Sequence, residues 1–244
     1  MYIEQIKAVD IPDAWFQCLW SILDNGFSYK IEHGSCVGET RYEFDFITIF
    51  IKIPYQEPYN MMLPKIPEHY NIPAPVEDGY IEQYLPYLMT AEKQTKEEYT
   101  YGERICGHEY TINKLLYDET ASTIKNIKIN QIDHWIKVLK ETPNTNQAIL
   151  QVAEPYDCLL DDPPCLRHID MRIKNDRLIF YPYFRSWDLW GGFPANLAGI
   201  AVLQKYMADE IGVKSGEIIA SSKGLHIYKY VKKLAKIRIN KNEI

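Results

Sequence analysis

Apolar residues recur with helical spacing at Trp15, Cys18, Leu19 and Ile22, with Pro12 suited to a first turn and Gly26 to a stop. The spacing predicts a core-facing helix over 12–24. From Glu43 to Ile53 the run EFDFITIFIKI is β-branched and aromatic on both faces, which predicts a long strand, covered on both sides and central in a sheet. Seven of the fourteen prolines then lie between Pro54 and Pro86, mixed with tyrosines. Proline fixes φ and donates no backbone hydrogen bond, so a rigid, irregular insert without long regular elements is expected at about 54–90. Ile129, Ile132, Ile136 and Leu139 mark a second amphipathic helix, and Ala148–Ala153 and Leu178–Phe184 have strand character. Asn196 is placed to cap a helix whose buried stripe is Ile200, Leu203, Met207 and Ile211 and which Gly212 ends. A last strand near Glu217–Ser221 leads to His226 and Tyr228. This order predicts an α/β or α+β chain with a mixed sheet. Without internal repeats or Gly/Ser linkers, residues 1–244 read as one domain.

Composition narrows the class. The chain has 244 residues, 46% hydrophobic and 25% charged, which is ordinary for a globular protein with a real core. Its greasiest stretch, Phe46 to Ile53, is interrupted at Lys52 and is far short of a membrane span. The start MYIEQIKAVD carries acidic residues where an export signal needs an apolar stretch behind basic ones, so a cytoplasmic protein is expected. Five cysteines, an odd count without CxxC spacing, read as reduced thiols and not as disulfides or a metal site. A net charge of −6 argues against a broad grip on nucleic acid. The basic run from Lys223 to Lys241 reads as a solvated face near the chain end.

Reactive residues gather late in the chain, in DDPPCLRHID, YFRSWDLWGGFPAN and SSKGLHIY. Cysteine is commonly a small buried hydrophobe, which is one reading of Cys165. Pro163 and Pro164 restrict the backbone ahead of it and Arg167 follows, however, so a fixed thiol with a lowered pKa is the other reading. Arg185, Ser186 and Asp188 are crowded against Gly191, Gly192 and Pro194. Glycines there allow close approach by a flat ligand, and Arg with Ser is a pairing that holds phosphate. A Gly-Pro turn with a solvated Arg explains the same residues.

Those motifs carry a resemblance. The stretch from Pro163 to Tyr230 holds, in order, P-C, a strand pair, F-R-S-x-D, G-x-P-A-N, a helix ending E-x-G-V-x-x-G, and H-I-Y. It resembles the carboxy-terminal half of thymidylate synthase, particularly the short archaeal-type enzymes. GETRYEFDF, YTYGERI and QIDHWIKVLKETPNT extend the resemblance upstream, to about 180 residues. The resemblance implies a mixed sheet flanked by helices, two copies packed sheet to sheet as a homodimer, and methylation of dUMP. The one-carbon donor would be 5,10-methylenetetrahydrofolate or a tetrahydromethanopterin analogue, with no metal. By motif match Cys165 would be the nucleophile that makes C5 of the pyrimidine reactive, and Asn196 would select uracil. Arg185 and Ser186 would bind phosphate, as would Arg41; His226 and Tyr228 would bind the ribose. Asp188 and Gly192 would border the pterin. Tyr101 matches the tyrosine tied to loss of the C5 proton, and Glu82 the glutamate that orders proton-relay waters.

The chain departs from the family pattern in places. Asn146 and Gln147 stand where the family has adjacent arginines given across the dimer to the phosphate, Leu166 where a His is common, and Ala195 beside the Asn. Two other outcomes of the same chemistry therefore stay open: a pyrimidine 5-hydroxymethylase, and a non-catalytic paralogue that binds nucleotide or pterin.

Overall fold

The computed structural model describes residues 1–34, 36–95, 97–115 and 122–241. Strand β1 (Ile3–Ala8) turns at Asp10 into helix α1 (Ile11–Asn25), where the Asp10 carboxylate accepts from Asp13 N at 2.9 Å and caps the helix. Trp15, Cys18, Leu19 and Ile22 are buried, as their spacing predicts. Gly26 ends the helix because of close approach: a Cβ there would lie 2.5 Å from Ile22 O. Strands β2 (Phe27–Lys30), β3 (Thr40–Glu43) and β4 (Phe46–Ile51) follow.

The proline-rich stretch begins irregularly, with short 3-10 turns at Tyr59–Met62 and Glu68–Tyr70. It then forms a ten-residue helix, α2 (Tyr80–Met89), which the proline density did not predict. Pro86 sits inside it and costs one backbone bond, but burial of Ile81, Tyr84 and Leu88 on one face outweighs that loss. Next come α3 (Tyr101–Cys106), the ribbon β5 (His108–Leu115) and β6 (Ser122–Ile129), and α4 (Gln131–Glu141). The last third holds β7 (Ile149–Gln151), β8 (Leu166–Lys174), β9 (Arg177–Phe184), the short β10 (Trp187–Asp188), α5 (Gly192–Ile211), β11 (Lys214–Ser222), β12 (Leu225–Tyr228) and α6 (Lys232–Arg238).

Six strands form a mixed sheet in the order β1-β4-β11-β9-β8-β7, with β1/β4 and β11/β9 parallel and the remaining pairs antiparallel. The mixed α/β architecture expected from the sequence is therefore present. Strand β4 is internal, paired on both edges, but only one of its faces is fully covered. Ile47, Ile49 and Ile51 are wholly buried while Phe46, Thr48 and Phe50 are half-buried, contrary to the expectation of cover on both sides. The same holds across the sheet, where Asp170, Tyr181, Tyr183 and Ile219 share the uncovered face.

Helix α5 covers the other face and is buried along most of its length, packed against α1, α2, α4, β9 and β11. Buried Gln204 repairs the register slip between β9 and β11 by donating to Leu178 O and Glu217 O, each at 3.0 Å. Helix α5 starts at Gly192, so Asn196 lies inside it and is not its cap; that role belongs to Asp188, as described below. A second sheet, β10-β12-β3-β2, stands beside the start of α5. The basic run is only partly a solvated face: Lys232 lies 3.7 Å from the Tyr42 ring centre, and Lys241 pairs with Asp24. Among the described residues no helix is long and apolar enough to cross a membrane.

Helices α2 and α3 cross where Gly102 lets their backbones meet. A Cβ at Gly102 would overlap Thr90 O and lie 2.7 Å from Tyr87 O, atoms of backbone that cannot swing away. Gly102→Ala is expected to destabilise the fold by about 3 kcal/mol, the upper end for overpacking, read as a lower denaturation midpoint. A change under about 0.5 kcal/mol, typical of surface substitutions, would show that this crossing is loose.

Candidate active site

Cys165 sits at the end of a loop that its own backbone cannot hold, since Pro163 and Pro164 have no N–H to donate. Arg185 supplies the donors. Its backbone N–H reaches Cys165 O at 2.8 Å, and its Nε reaches Pro163 O at 3.1 Å and Pro164 O at 3.2 Å. One guanidinium nitrogen also pairs with Asp162 at 2.9 Å. Tyr99 adds a bond from its hydroxyl to Asp162 O at 3.1 Å. The loop is thus fixed from the β9 side, and the sulfur is partly buried.

From the opposite side, Tyr101 begins α3, and its hydroxyl accepts from Leu166 N at 3.3 Å, one residue from the thiol. Three residues on, Arg104 is buried and binds Asp157 at 2.9 Å and Glu154 at 3.3 Å, with the Tyr156 ring 4.9 Å from its guanidinium carbon. Arg167 lies 3.6 Å from the other Asp157 oxygen. One short helix therefore carries both the tyrosine beside Cys165 and the cation that anchors the segment leading to it.

The sequence suggested a lowered thiol pKa; the structure corrects this. Burial pushes the Cys165 thiol up, Asp162 adds to the rise, and Arg185 and Arg167 offset only part of it. Chain proximity pointed to Arg167 but not to the burial of the thiol or to the charge that Arg185 shares with Asp162.

Asp188 is the cap of α5. Its Oδ2 accepts from Gly191 N and Gly192 N at 3.0 Å each, and its Oδ1 accepts from Trp190 N at 3.3 Å. Four residues into the helix, Asn196 is held at both ends of its amide: Trp187 Nε1 donates to Oδ1 at 3.1 Å, and Nδ2 donates to the Tyr84 hydroxyl at 2.9 Å. Trp187 is itself stacked flat on Phe184 at 3.9 Å.

The second sheet gathers the remaining candidates. Asp188 is aligned with His226, His226 with Glu43, and Tyr228 with Arg41. Arg41 Nε pairs with Glu43 at 2.5 Å. Buried His226 has Nδ1 2.9 Å from Gly224 O, which fixes the proton on that nitrogen and leaves Nε2 an acceptor, buried and without a partner among the described residues. Burial holds its pKa below the usual histidine range, so it stays neutral. The Tyr228 ring lies edge-on to His226 at 4.9 Å. Ser186 is half-buried between Arg185 and Trp187.

Glu82 is exposed on α2. Asn146 and Gln147 are both exposed, and Asn146 borders, with His168, Asp170, Arg172, Tyr181 and Tyr183, a cavity of about 590 Å³ on the uncovered sheet face. Sequence reasoning missed Tyr84, Trp187 and Arg104. The helical spacing of Tyr80, Tyr84 and Tyr87 was the available signal for the first. Their rings form a ladder with neighbouring centres 6.0 and 5.8 Å apart, continued to Tyr101 at 5.9 Å.

Residues 68–243 match the family model described as thymidylate synthase. Over 224 residues the chain is 30% identical to a protein of Methanosarcina barkeri named "Putative thymidylate synthase", covering 91% of this chain and 88% of that one. It is 26% identical over 242 residues to a protein of the same name from Methanothermobacter marburgensis, covering 95% and 96% of the two chains. A bifunctional dihydrofolate reductase-thymidylate synthase of Paramecium tetraurelia is 28% identical over 143 residues, 58% of this chain and 31% of that one.

The charges around Cys165 set the pH at which its thiolate forms. Because the thiol pKa is raised, alkylation by iodoacetamide at Cys165 is expected to rise to its plateau above the pH range of an ordinary thiol. Asp162→Asn removes a charge that raises the pKa and should move that midpoint down. Equal midpoints in the two proteins would contradict the electrostatic assignment.

Proposed function

This chain belongs to the thymidylate synthase family, and from that membership we propose that it converts dUMP to dTMP, Cys165 thiolate adding at C6 of the pyrimidine so that C5 accepts a one-carbon unit. The observation that carries this reading is the fixing of one cysteine: Arg185 clamps its carbonyl, Tyr101 holds the next residue, and two arginines act on the thiol. Of the five cysteines, Cys36 and Cys158 are exposed, Cys18 lies fully within the core, and Cys106 ends α3.

In this reading Asn196 presents one N–H and one oxygen lone pair to O4 and N3–H of uracil. His226 Nε2 accepts a ribose hydroxyl, with Tyr228 beside it. Arg41, Arg185 and Ser186 serve the phosphate; for Arg185 this means exchanging Asp162 for the ligand's anion. Tyr101 assists loss of the C5 proton, while exposed Glu82 enters only through water. Tyr80, Gln83, Tyr84 and Tyr87 border a cavity of about 290 Å³ whose aromatic walls suit a flat pterin. Either 5,10-methylenetetrahydrofolate or a tetrahydromethanopterin analogue would supply the carbon and the hydride when bound. Asp188 and Gly192, at the start of α5, would border the pterin in this reading, with Asp188 engaged in the helix cap. The half-buried sheet face with Phe50, Tyr181 and Ile219 is proposed to pack on a second copy.

One observation favours a second reading. Asn146 and Gln147 lack the cations the family brings to the phosphate, which suits a paralogue that binds nucleotide without turning it over. Incubation with dUMP and methylenetetrahydrofolate, with products analysed by mass, separates the cases. A methylated product supports the synthase, a hydroxymethylated one indicates the hydroxymethylase, and unchanged nucleotide supports the binding paralogue.

Cys165→Ser should abolish that turnover with folding retained, whereas Cys158→Ser, at an exposed site, should change it little. Activity of Cys165→Ser above about a tenth of wild type would remove Cys165 from the nucleophile's role. Asn196→Asp should shift the dCMP to dUMP rate ratio upward by about tenfold or more. The carboxylate still accepts from Trp187, and the Tyr84 hydroxyl can reverse to donate. An unchanged ratio would mean that Asn196 does not read the base.

A further inference from the structure

The bonds around Asn196 leave one donor unused. Trp187 Nε1 only donates, so the amide atom it meets is the oxygen, and the NH₂ group faces Tyr84. The Tyr84 oxygen therefore accepts, and its own O–H proton points elsewhere. Among the described residues no acceptor for it is recorded. Tyr84 is 9% exposed, and its ring is built into place between Tyr80 and Tyr87. Gly199 of α5 makes room for it: a Cβ there would lie 2.7 Å from the Tyr84 ring. The hydroxyl thus sits beside the base-reading amide on the tyrosine ladder that ends at Tyr101, while Glu82 is exposed and Leu166 offers no polar group.

Resting on the uracil-nucleotide reading above, we propose that Tyr84 is a catalytic residue whose O–H is the second donor, beside Asn196 Nδ2–H, to the pyrimidine O4 as Cys165 adds. In that step the S–C6 bond forms, the C5=C6 pair moves to C4–C5, and the C4=O4 pair moves onto the oxygen. No proton is transferred. Negative charge gathers on O4, and two fixed donors in a water-poor site stabilise it more than they stabilise the neutral carbonyl. Burial raises the Tyr84 pKa, which keeps the hydroxyl protonated and able to donate at any pH the enzyme meets.

The test uses Tyr84→Phe, which keeps the ring and its stacking and removes only the hydroxyl. Two rates are measured: dUMP conversion with methylenetetrahydrofolate, and exchange of the C5 hydrogen of dUMP with deuterated water without it. Exchange needs Cys165 addition and proton transfer to and from C5 but no one-carbon donor, and so reports the enolate stage. The expected result is a loss of about a hundredfold in both kcat and exchange, with KM for dUMP changed by less than about threefold. Both rates within about twofold of wild type, or a raised KM with kcat intact, would overturn the proposal and leave Tyr84 a packing residue. Failure of wild type in both assays would instead overturn the nucleotide reading, and this proposal with it. If Tyr84→Phe does not fold, a ring-fluorinated tyrosine at position 84 keeps the shape and makes the hydroxyl more acidic. As the stronger donor it should raise kcat and the exchange rate together at fixed pH, with KM for dUMP held within about threefold, and rates unchanged from wild type would overturn the proposal.

Discussion

The hydrogen bond from Arg185 N to Cys165 O, 2.8 Å long, is where the functional chemistry is tied to the fold. It extends the β8/β9 pairing by one residue into a loop that two prolines leave without donors, and the Arg185 side chain caps the carbonyls those prolines expose. It fixes the Cys165 carbonyl, while the Tyr101 hydroxyl holds Leu166 N on the other side of the thiol. The approach to that loop is anchored separately, through Asp157 and Glu154 to buried Arg104. Breaking a buried pair of this kind costs about 3–5 kcal/mol, because the remaining charge is left without a partner. Helix α3 joins the two halves of the arrangement, since it carries both Arg104 and Tyr101.

The rest of the architecture brings a second set of groups to the same region. Helix α5 runs under the large sheet, and its first turn is capped by Asp188, a residue of the small sheet. That cap fixes where Asn196 emerges relative to β12, and therefore relative to His226. Substrate contacts proposed for the base come from the helix, and those proposed for the sugar come from the sheet. A shift of one against the other would separate them. Glycines 191 and 199 serve close packing here: a Cβ at Gly191 would lie 3.1 Å from Pro75 O.

Much of this was legible in the chain. Helix α1, helix α4 and the end of α5 at Gly212 declare themselves through apolar spacing and a glycine at φ 91°, and strand β9 through its β-branched and aromatic content, whereas its partner β8 was expected only from the resemblance. What was hidden depends on tertiary contact. Strands β3 and β12 are four residues long, too short to show alternation, and α2 contains a proline that propensity counts against it. Asn196 was read as a cap because Asn is a favoured capping residue; the true cap reaches in from a neighbouring strand. The thiol pKa was read from Arg167 nearby in the chain, yet burial, with Asp162 adding to it, outweighs the arginines. Tyr84, one of nineteen tyrosines, stands out only when its hydroxyl is seen against Asn196.

The account stands on Cys165 being the one cysteine placed to add to a pyrimidine. The direct measurement is peptide mapping of acid-quenched protein after incubation with dUMP and methylenetetrahydrofolate, searching for nucleotide joined to sulfur. The account predicts the adduct on the peptide that contains Cys165 and none on those that contain exposed Cys36 or Cys158. An adduct on either exposed cysteine, or dUMP turnover with none trapped on Cys165, would contradict it.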